Sequence, residues 1–179
     1  MDGPADHDLM ARAAKGDERA FRSLAERHGG AALRLARRIL RNDALAEDIV
    51  QDAFLRVWIN APRWRPQAAF RTWLYRIVVN LCLNAKRRTA DVPLDAAAHV
   101  ADSGLAPDEQ LGRRERDTRL TAAIDALPER QRAAIVLTYQ EALSNAEVAD
   151  VLETSVSGVE TLLVRARRAL RAAFESNQE

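Results

Sequence analysis

Residues 70–88 read FRTWLYRIVVNLCLNAKRR, and the fold turns on how this stretch lies as a helix. At helical spacing Phe70, Trp73, Leu74, Ile77, Val78 and Leu81 form one broad apolar stripe of the kind a globular core buries. Thr72, Arg76, Asn80, Asn84 and Arg88 fall at successive i+4 steps and make a second stripe. No carboxylate occurs in the segment, which ends in Lys86-Arg87-Arg88. A solvated helix face ordinarily mixes Glu with Lys or Arg, whereas this donor-rich face suits phosphates and base edges. The plain alternative is a basic amphipathic helix that only covers a core.

A chain of 179 residues holds one medium domain or two small ones. The net charge of +1 says little, but its distribution is uneven. Residues 1–88 are net +7, and residues 89–116 and 117–179 are each net −3. A basic first half followed by an acidic middle points to an anionic partner for the N-terminal part and a solvated connector after it. Cys82 is the single cysteine, which excludes an intramolecular disulfide and suits packing. His7, His28 and His99 lack neighbours at ligand spacing, so no metal site and no cofactor are expected. No apolar run is long enough to span a bilayer and MDGPADHD is no signal sequence, so the chain reads as soluble and cytoplasmic, without membrane insertion. All but Lys15 and Lys86 of the basic residues are arginine, which favours bidentate and stacking contacts.

Working outward, residues 8–28 show helical periodicity through Leu9, Ala13, Phe21 and Leu24, broken at Gly16-Asp17. Gly29-Gly30 predicts a second loosening before an Arg-rich helix over 32–40. Asp43 is the expected N-cap of the helix ALAEDIVQDAFLRVWIN, 44–60. Leu45, Ile49, Ala53, Val57 and Trp58 are expected to face the core. Glu47, Asp48, Gln51 and Asp52 cluster on the remaining surface. The helix dipole accounts for Glu47 and Asp48 but less well for Gln51 and Asp52, so the cluster also reads as a docking surface for a basic protein partner. In the proline-bracketed loop APRWRPQAA, 61–69, Trp64 lies between Arg63 and Arg65. That is the composition of a base-stacking, phosphate-gripping element, and equally of a tryptophan that plugs the core.

Residues 89–116 lose periodicity, turn acidic and contain Pro93, Gly104 and Pro107, as a linker does. About 28 residues at ~3.3 Å each reach roughly 90 Å, enough for two modules to engage DNA two turns apart, roughly 70 Å. The chain from 117 predicts a second helical domain: a helix over 117–127, then one with Pro128 in its first position, through about Gln140. Ser144 and Glu147 form a capping box before a short helix to Leu152. The turn Glu153-Thr154-Ser155 leads into a long helix to about Phe174. With Ala149, Val151, Val159 and Leu163 as packing positions, this is a helix-turn-helix. Its second helix carries Arg165, Arg167, Arg168 and Arg171 toward phosphates. No nucleotide loop, activated nucleophile or catalytic carboxylate pair is evident, so the chain does not read as an enzyme. The fold class expected is all-α, two small helical domains joined by a flexible acidic linker.

In order, AEDIVQDAFLRVW, FRTWLYRIVVNLCLNAKRR, an acidic linker, LPERQRAAIVLTYQEALSNAEVADVL and VRARRALR resemble bacterial sigma factors of the extracytoplasmic-function type. The resemblance covers roughly residues 8–88 and 117–174. It implies a region 2-like domain over 1–88, a linker over 89–116 and a region 4-like domain over 117–179. Such a protein recruits RNA polymerase core enzyme to promoter DNA, touching the β′ clamp helices and the β flap. By matching positions, Glu47, Asp48, Gln51 and Asp52 fall where the family grips the clamp helices. Trp64, Arg65, Arg76, Asn80, Asn84, Lys86, Arg87 and Arg88 fall where it opens and reads the −10 element. Ser157, Glu160, Thr161, Val164, Arg165 and Arg168 fall on the helix that enters the −35 major groove. An anti-sigma partner is implied, and with no sizeable extension after the last helix, regulation is expected from outside the chain.

One departure stands out. The family often reads G-T-V-K/R-S-R at the start of the last helix, whereas this chain has Gly158-Val159-Glu160-Thr161-Leu162. Glu160 replaces a donor with an acceptor and Leu162 removes a cation. Glutamate accepts from cytosine N4 and leucine packs on a thymine methyl, so an altered −35 sequence is one expectation and weakened −35 binding another. Ser157 and Glu160 also have capping-box spacing. The rival readings are a two-domain DNA-binding regulator that works without polymerase and a helical adaptor that clasps another protein.

Overall fold

Local signals account for where the helices begin and end. The computed structural model describes residues 5–65, 69–90 and 118–175, and the described residues contain no strand. Helix α1 (Asp6–Ala13) runs into a turn where Gly16 takes φ +87°, a conformation open to glycine. Asp17 caps α2 (Glu18–Leu40), its carboxylate accepting from the amides of Arg19 at 3.0 Å and Ala20 at 3.1 Å. The Ala20 amide and then the Arg12 guanidinium hold that carboxyl below the ordinary range.

Two boundary expectations need correction here. Helix α2 runs unbroken through Gly29 and Gly30: a Cβ on Gly29 would sit 3.9 Å from the Phe54 ring, so tertiary packing of α3 overrides the weak glycine propensity. The cap of α3 (Asp43–Asn60) is Asn42, which accepts from the Leu45 amide at 2.9 Å, and Asp43 is the first helical residue. A 3₁₀ turn, Ala61–Arg63, leads toward α4 (Phe70–Ala90).

The second half begins with α5, helical over 118–125. Pro128 is the cap residue of α6 (Glu129–Ile135), in extended conformation, and not its first helical position. A π-helical turn, Val136–Gln140, continues α6. The Ser144–Glu147 capping box of α7 (Asn145–Leu152) is present in both directions. Helix α8 (Val156–Glu175) is capped by Ser155, whose Oγ accepts from the Gly158 amide at 3.0 Å. The expected capping box at Ser157 is therefore absent, because Ser157 already lies inside the helix. Of the linker expected over 89–116, residues 89 and 90 are the last of α4; the rest of it, residues 66–68 of the expected loop and the side chain of Arg88 lie outside the described residues.

Leu9, Leu24, Leu35, Ile39, Val57, Leu74 and Val78 build the core among α1–α4; Leu137, Val151, Leu152, Val159 and Leu163 build that of the second half. The two sets belong to one buried cluster, since α4 packs against α7 as well as against α2 and α3. That packing corrects the one-stripe reading of α4. Tyr75, Val79 and Cys82 are buried too, and so is Thr72, which leaves the donor stripe. Burial pushes the Cys82 thiol up to about 12, as fits an inert packing residue.

Arg132, only 6% exposed, sits where two helices end. Its guanidinium donates to the carbonyls of Ile39 at 2.8 Å, Leu127 at 2.9 Å and Ile124 at 3.3 Å, and to that of Asp125. It thus binds carbonyls at and just beyond the C-terminal ends of α2 and α5 and places a cation near the negative ends of both dipoles. No described helix is long and apolar enough to cross a membrane.

Candidate nucleic-acid interface

The short 3₁₀ turn after α3 folds the chain back beside α4 and opens a cleft of about 580 Å³ between them. Arg56, Asn60, Arg63, Trp64, Arg76 and Asn80 line it over an apolar floor of Trp73, Ile77 and Leu81, and none of the described lining residues is a carboxylate. Trp64 is half-buried, with its ring centroid 6.4 Å from that of Trp73 and 5.6 Å from that of His7. Trp64 packs one side on the core and walls the cleft with the rest. Amide and guanidinium groups above aromatic rings can stack and hydrogen-bond an unpaired base.

Of the residues expected here, Trp64, Arg65, Arg76, Asn80 and Asn84 share the cleft. Arg65 is exposed. Asn84 accepts from Arg87 at 2.6 Å, and Lys86 follows on the same helix without lining the cleft. Arg56 and Asn60 were missed by the sequence reading, which had Arg63 only as a neighbour of Trp64, because nothing local shows that the end of α3 turns toward α4. Arg76 is also not simply presented to solvent: its Nε donates to Glu153 of the second half at 2.8 Å.

The acidic cluster on α3 is brought together as expected, with differences among its members. Glu47 accepts from Arg37 at 3.0 Å and Asp52 pairs with Arg56 at 3.1 Å. Asp48 and Gln51 are exposed and bind no described side chain. Leu55, 56% exposed, and Ile59, 63% exposed, continue the face of Asp48, Gln51 and Asp52 along α3. Beside them a groove of about 740 Å³ runs between α2 and α3 over Phe21, Val50, Phe54 and Trp58. Carboxylates next to uncovered apolar surface are what a protein-docking face presents. The apolar part was legible only as an excess of hydrophobic positions on α3 beyond one stripe.

On α8, Val159, Leu163 and Ala166 are buried, which turns Ser157, Glu160, Thr161, Val164, Arg165 and Arg168 outward together. Val164 is 60% exposed, an apolar contact held out among polar ones. The Thr161 hydroxyl donates to the Ser157 carbonyl at 2.9 Å. Arg167 is set apart: its guanidinium lies 5.7 Å over the Tyr139 ring and donates to the Tyr139 hydroxyl. Gly158 permits the tight turn, since a Cβ there would meet Thr154 Oγ1 at 2.4 Å.

Residues 24–91 match the family Sigma-70 region 2, and residues 117–170 match Sigma-70, region 4. The chain is 32% identical to the ECF RNA polymerase sigma factor SigW of Bacillus subtilis, over 88% of this chain and 90% of that one. It is 34% identical to the RNA polymerase sigma factor CnrH of Cupriavidus metallidurans, over 98% and 97%. A solved structure of CnrH in complex with the cytosolic domain of CnrY aligns with a TM-score of 0.72 at 31% identity, covering 97% of this chain and 99% of that one. The sigma factor RpoE of Bartonella quintana, solved with the anti-sigma factor NepR, shares the fold at a TM-score of 0.66 and 21% identity, over 87% and 96%. Both halves match in order and the likeness spans nearly the whole chain, so this protein belongs to the extracytoplasmic-function sigma factors, transcription initiation factors rather than enzymes.

Proposed function

We propose that the two halves divide initiation between them, residues 1–88 holding polymerase and opening the −10 element, residues 117–179 reading the −35 element, and 89–116 spanning the gap. The donor-rich cleft between α3 and α4 carries this reading. It offers two tryptophans for stacking and three asparagines for base edges, the equipment for gripping a base already out of its stack. On α3, Asp48, Gln51 and Asp52 take basic side chains of the polymerase β′ clamp helices while Leu55 and Ile59 cover apolar surface beside them. The outward face of α8 enters the −35 major groove, and its half contacts the β flap. A 31% identical relative bound to the cytosolic domain of a second protein supports an anti-sigma partner that covers these faces.

The test is in vitro transcription with purified core enzyme on a genomic promoter library. Asp48→Arg should abolish core capture by at least tenfold, the scale of a disrupted charged docking contact. Asn80→Ala and Trp64→Ala should leave capture intact and lower initiation on duplex templates, with partial rescue on templates already unpaired at −10. Unchanged capture in the first case and unchanged initiation in the second would refute the division of labour.

A further inference from the structure

Helix α1 buries Leu9 and Met10 and packs both on α2 and on the 3₁₀ turn Ala61–Arg63. Its first residue, Asp6, ties it to α2: the carboxylate accepts from His28 Nε2 at 2.8 Å and from the Arg27 guanidinium. The next residue, His7, is exposed, yet its ring centroid lies 5.6 Å from that of Trp64, with the planes tilted by 46°. Trp64 also meets Trp73, Trp73 meets Phe70 at 6.1 Å, and Phe70 meets His28 at 5.0 Å. The contacts close on themselves, because Asp6 joins the last ring, His28, back to the helix that carries the first, His7.

Trp64 needs such support. It caps a three-residue 3₁₀ turn in extended conformation, with its amide bonded to the Ala61 carbonyl at 3.2 Å, and its side chain is half-buried. One backbone bond fixes the position of its Cα, but the direction of the indole is left to the rings around it. Both of its ring contacts fall within the separations at which tilted aromatic pairs attract. A ring that stacks a base binds better when it already stands in the stacking position, since less rotamer freedom is then lost on binding. His7 supplies this from outside the cleft, whose described lining does not include it.

We infer that His7 is a positioning residue for base capture, bracing the Trp64 ring beside Trp73 from a helix that Asp6 ties to α2. This inference rests on the cleft being the −10 site. His7 acts through the indole: the apparent affinity for an unpaired base scales with the fraction of molecules whose Trp64 already stands where the base stacks. Removing the brace lowers that fraction and leaves the polymerase-docking face of α3 untouched.

Full-length wild type, His7→Ala, His7→Phe, Trp64→Ala and His7→Ala/Trp64→Ala are each assembled with core enzyme on a library promoter at which wild type initiates. His7→Ala should lower the yield of open complex by about two- to tenfold, the worth of an aromatic pair, with core capture unchanged. His7→Phe keeps a ring without the imidazole and should restore most of the yield. In the Trp64→Ala background His7→Ala should change nothing further, because the two residues act as one unit. Fluorine NMR of 5-fluorotryptophan-labelled protein reads the brace directly: the Trp64 resonance, assigned by its loss in Trp64→Ala, should move in His7→Ala while that of Trp58 stays. An unmoved Trp64 resonance overturns the brace. So does an equal loss from His7→Ala with and without Trp64, or a wild-type yield from His7→Ala where Trp64→Ala is impaired. If Trp64→Ala itself forms open complex like wild type, the −10 reading of the cleft falls, and the fluorine resonance still decides whether His7 sets the ring.

Discussion

Replacing Arg132 with alanine is the perturbation whose size the structure defines best. The guanidinium is buried and donates to four backbone carbonyls, those of Ile39, Ile124, Asp125 and Leu127. Each charge-assisted bond is worth about 1.5–3 kcal/mol taken alone. The four are not additive, since they share one charge and one desolvation cost, so the loss is better set by what breaking a buried charged network costs, about 3–5 kcal/mol. For a unit of roughly 60 residues that is a fall in Tm of at least ~12 °C. Arg132→Lys keeps the charge but not the planar fork, and a compact ammonium with three donors cannot reach all four carbonyls. It should cost about 2 kcal/mol or more. All three tryptophans, Trp58, Trp64 and Trp73, lie in the first half, so tryptophan fluorescence reports α1–α4 while far-ultraviolet circular dichroism reports every helix. Thermal and urea unfolding followed by both signals should show dichroism lost early, with the fluorescence transition shifted less, by the one bond to Ile39. A total loss below about 1 kcal/mol for Arg132→Ala would refute the assignment of Arg132 as the shared cap of α2 and α5.

Two further outcomes follow from single residues. Glu160→Lys should change base preference at one or two −35 positions in a randomised-promoter assay, by about 1–3 kcal/mol for the wrong base; a uniform gain across all sequences would show that Glu160 acts through charge alone. Ser144→Ala should cost α7 about 1 kcal/mol at neutral pH. The Ser144 amide, and then its hydroxyl, depress the Glu147 carboxyl below its ordinary 4.5, so this contribution is complete above that value and is lost as pH falls through the lower folded value. Because Glu147 keeps contact with solvent, screening holds the pH-dependent part to a few tenths of a kcal/mol at most (~0.3 kcal/mol). The gap between wild type and Ser144→Ala, measured by urea unfolding, should narrow in acid; a gap that widens would reverse the sign of the argument.

Much of the architecture was legible without coordinates because its signals are local. The period of apolar residues, the Gly16-Asp17 break, the Ser144–Glu147 box and the Glu153–Ser155 turn each act over four residues or fewer, and chain order alone carried the family. The residues of the α8 face could be named in advance for the same reason: on a helix, spacing is direction. Sequence reading faltered where a distant element set the outcome. Gly29 and Gly30 stay helical because α3 packs there, and Thr72 is buried in packing around α4 that no single stripe describes. The lining of the cleft by Arg56, Asn60 and Arg63, and the apolar groove beside Asp48, depend on how α2, α3 and α4 are juxtaposed. So do the partners of Arg132, Glu141 and Glu153, each reaching across 66 to 103 residues or binding the ends of two helices at once. Short-range hydrogen bonds and helical periodicity decided the helices; burial and ion pairing between residues remote in the chain decided which of their faces remain open to a partner.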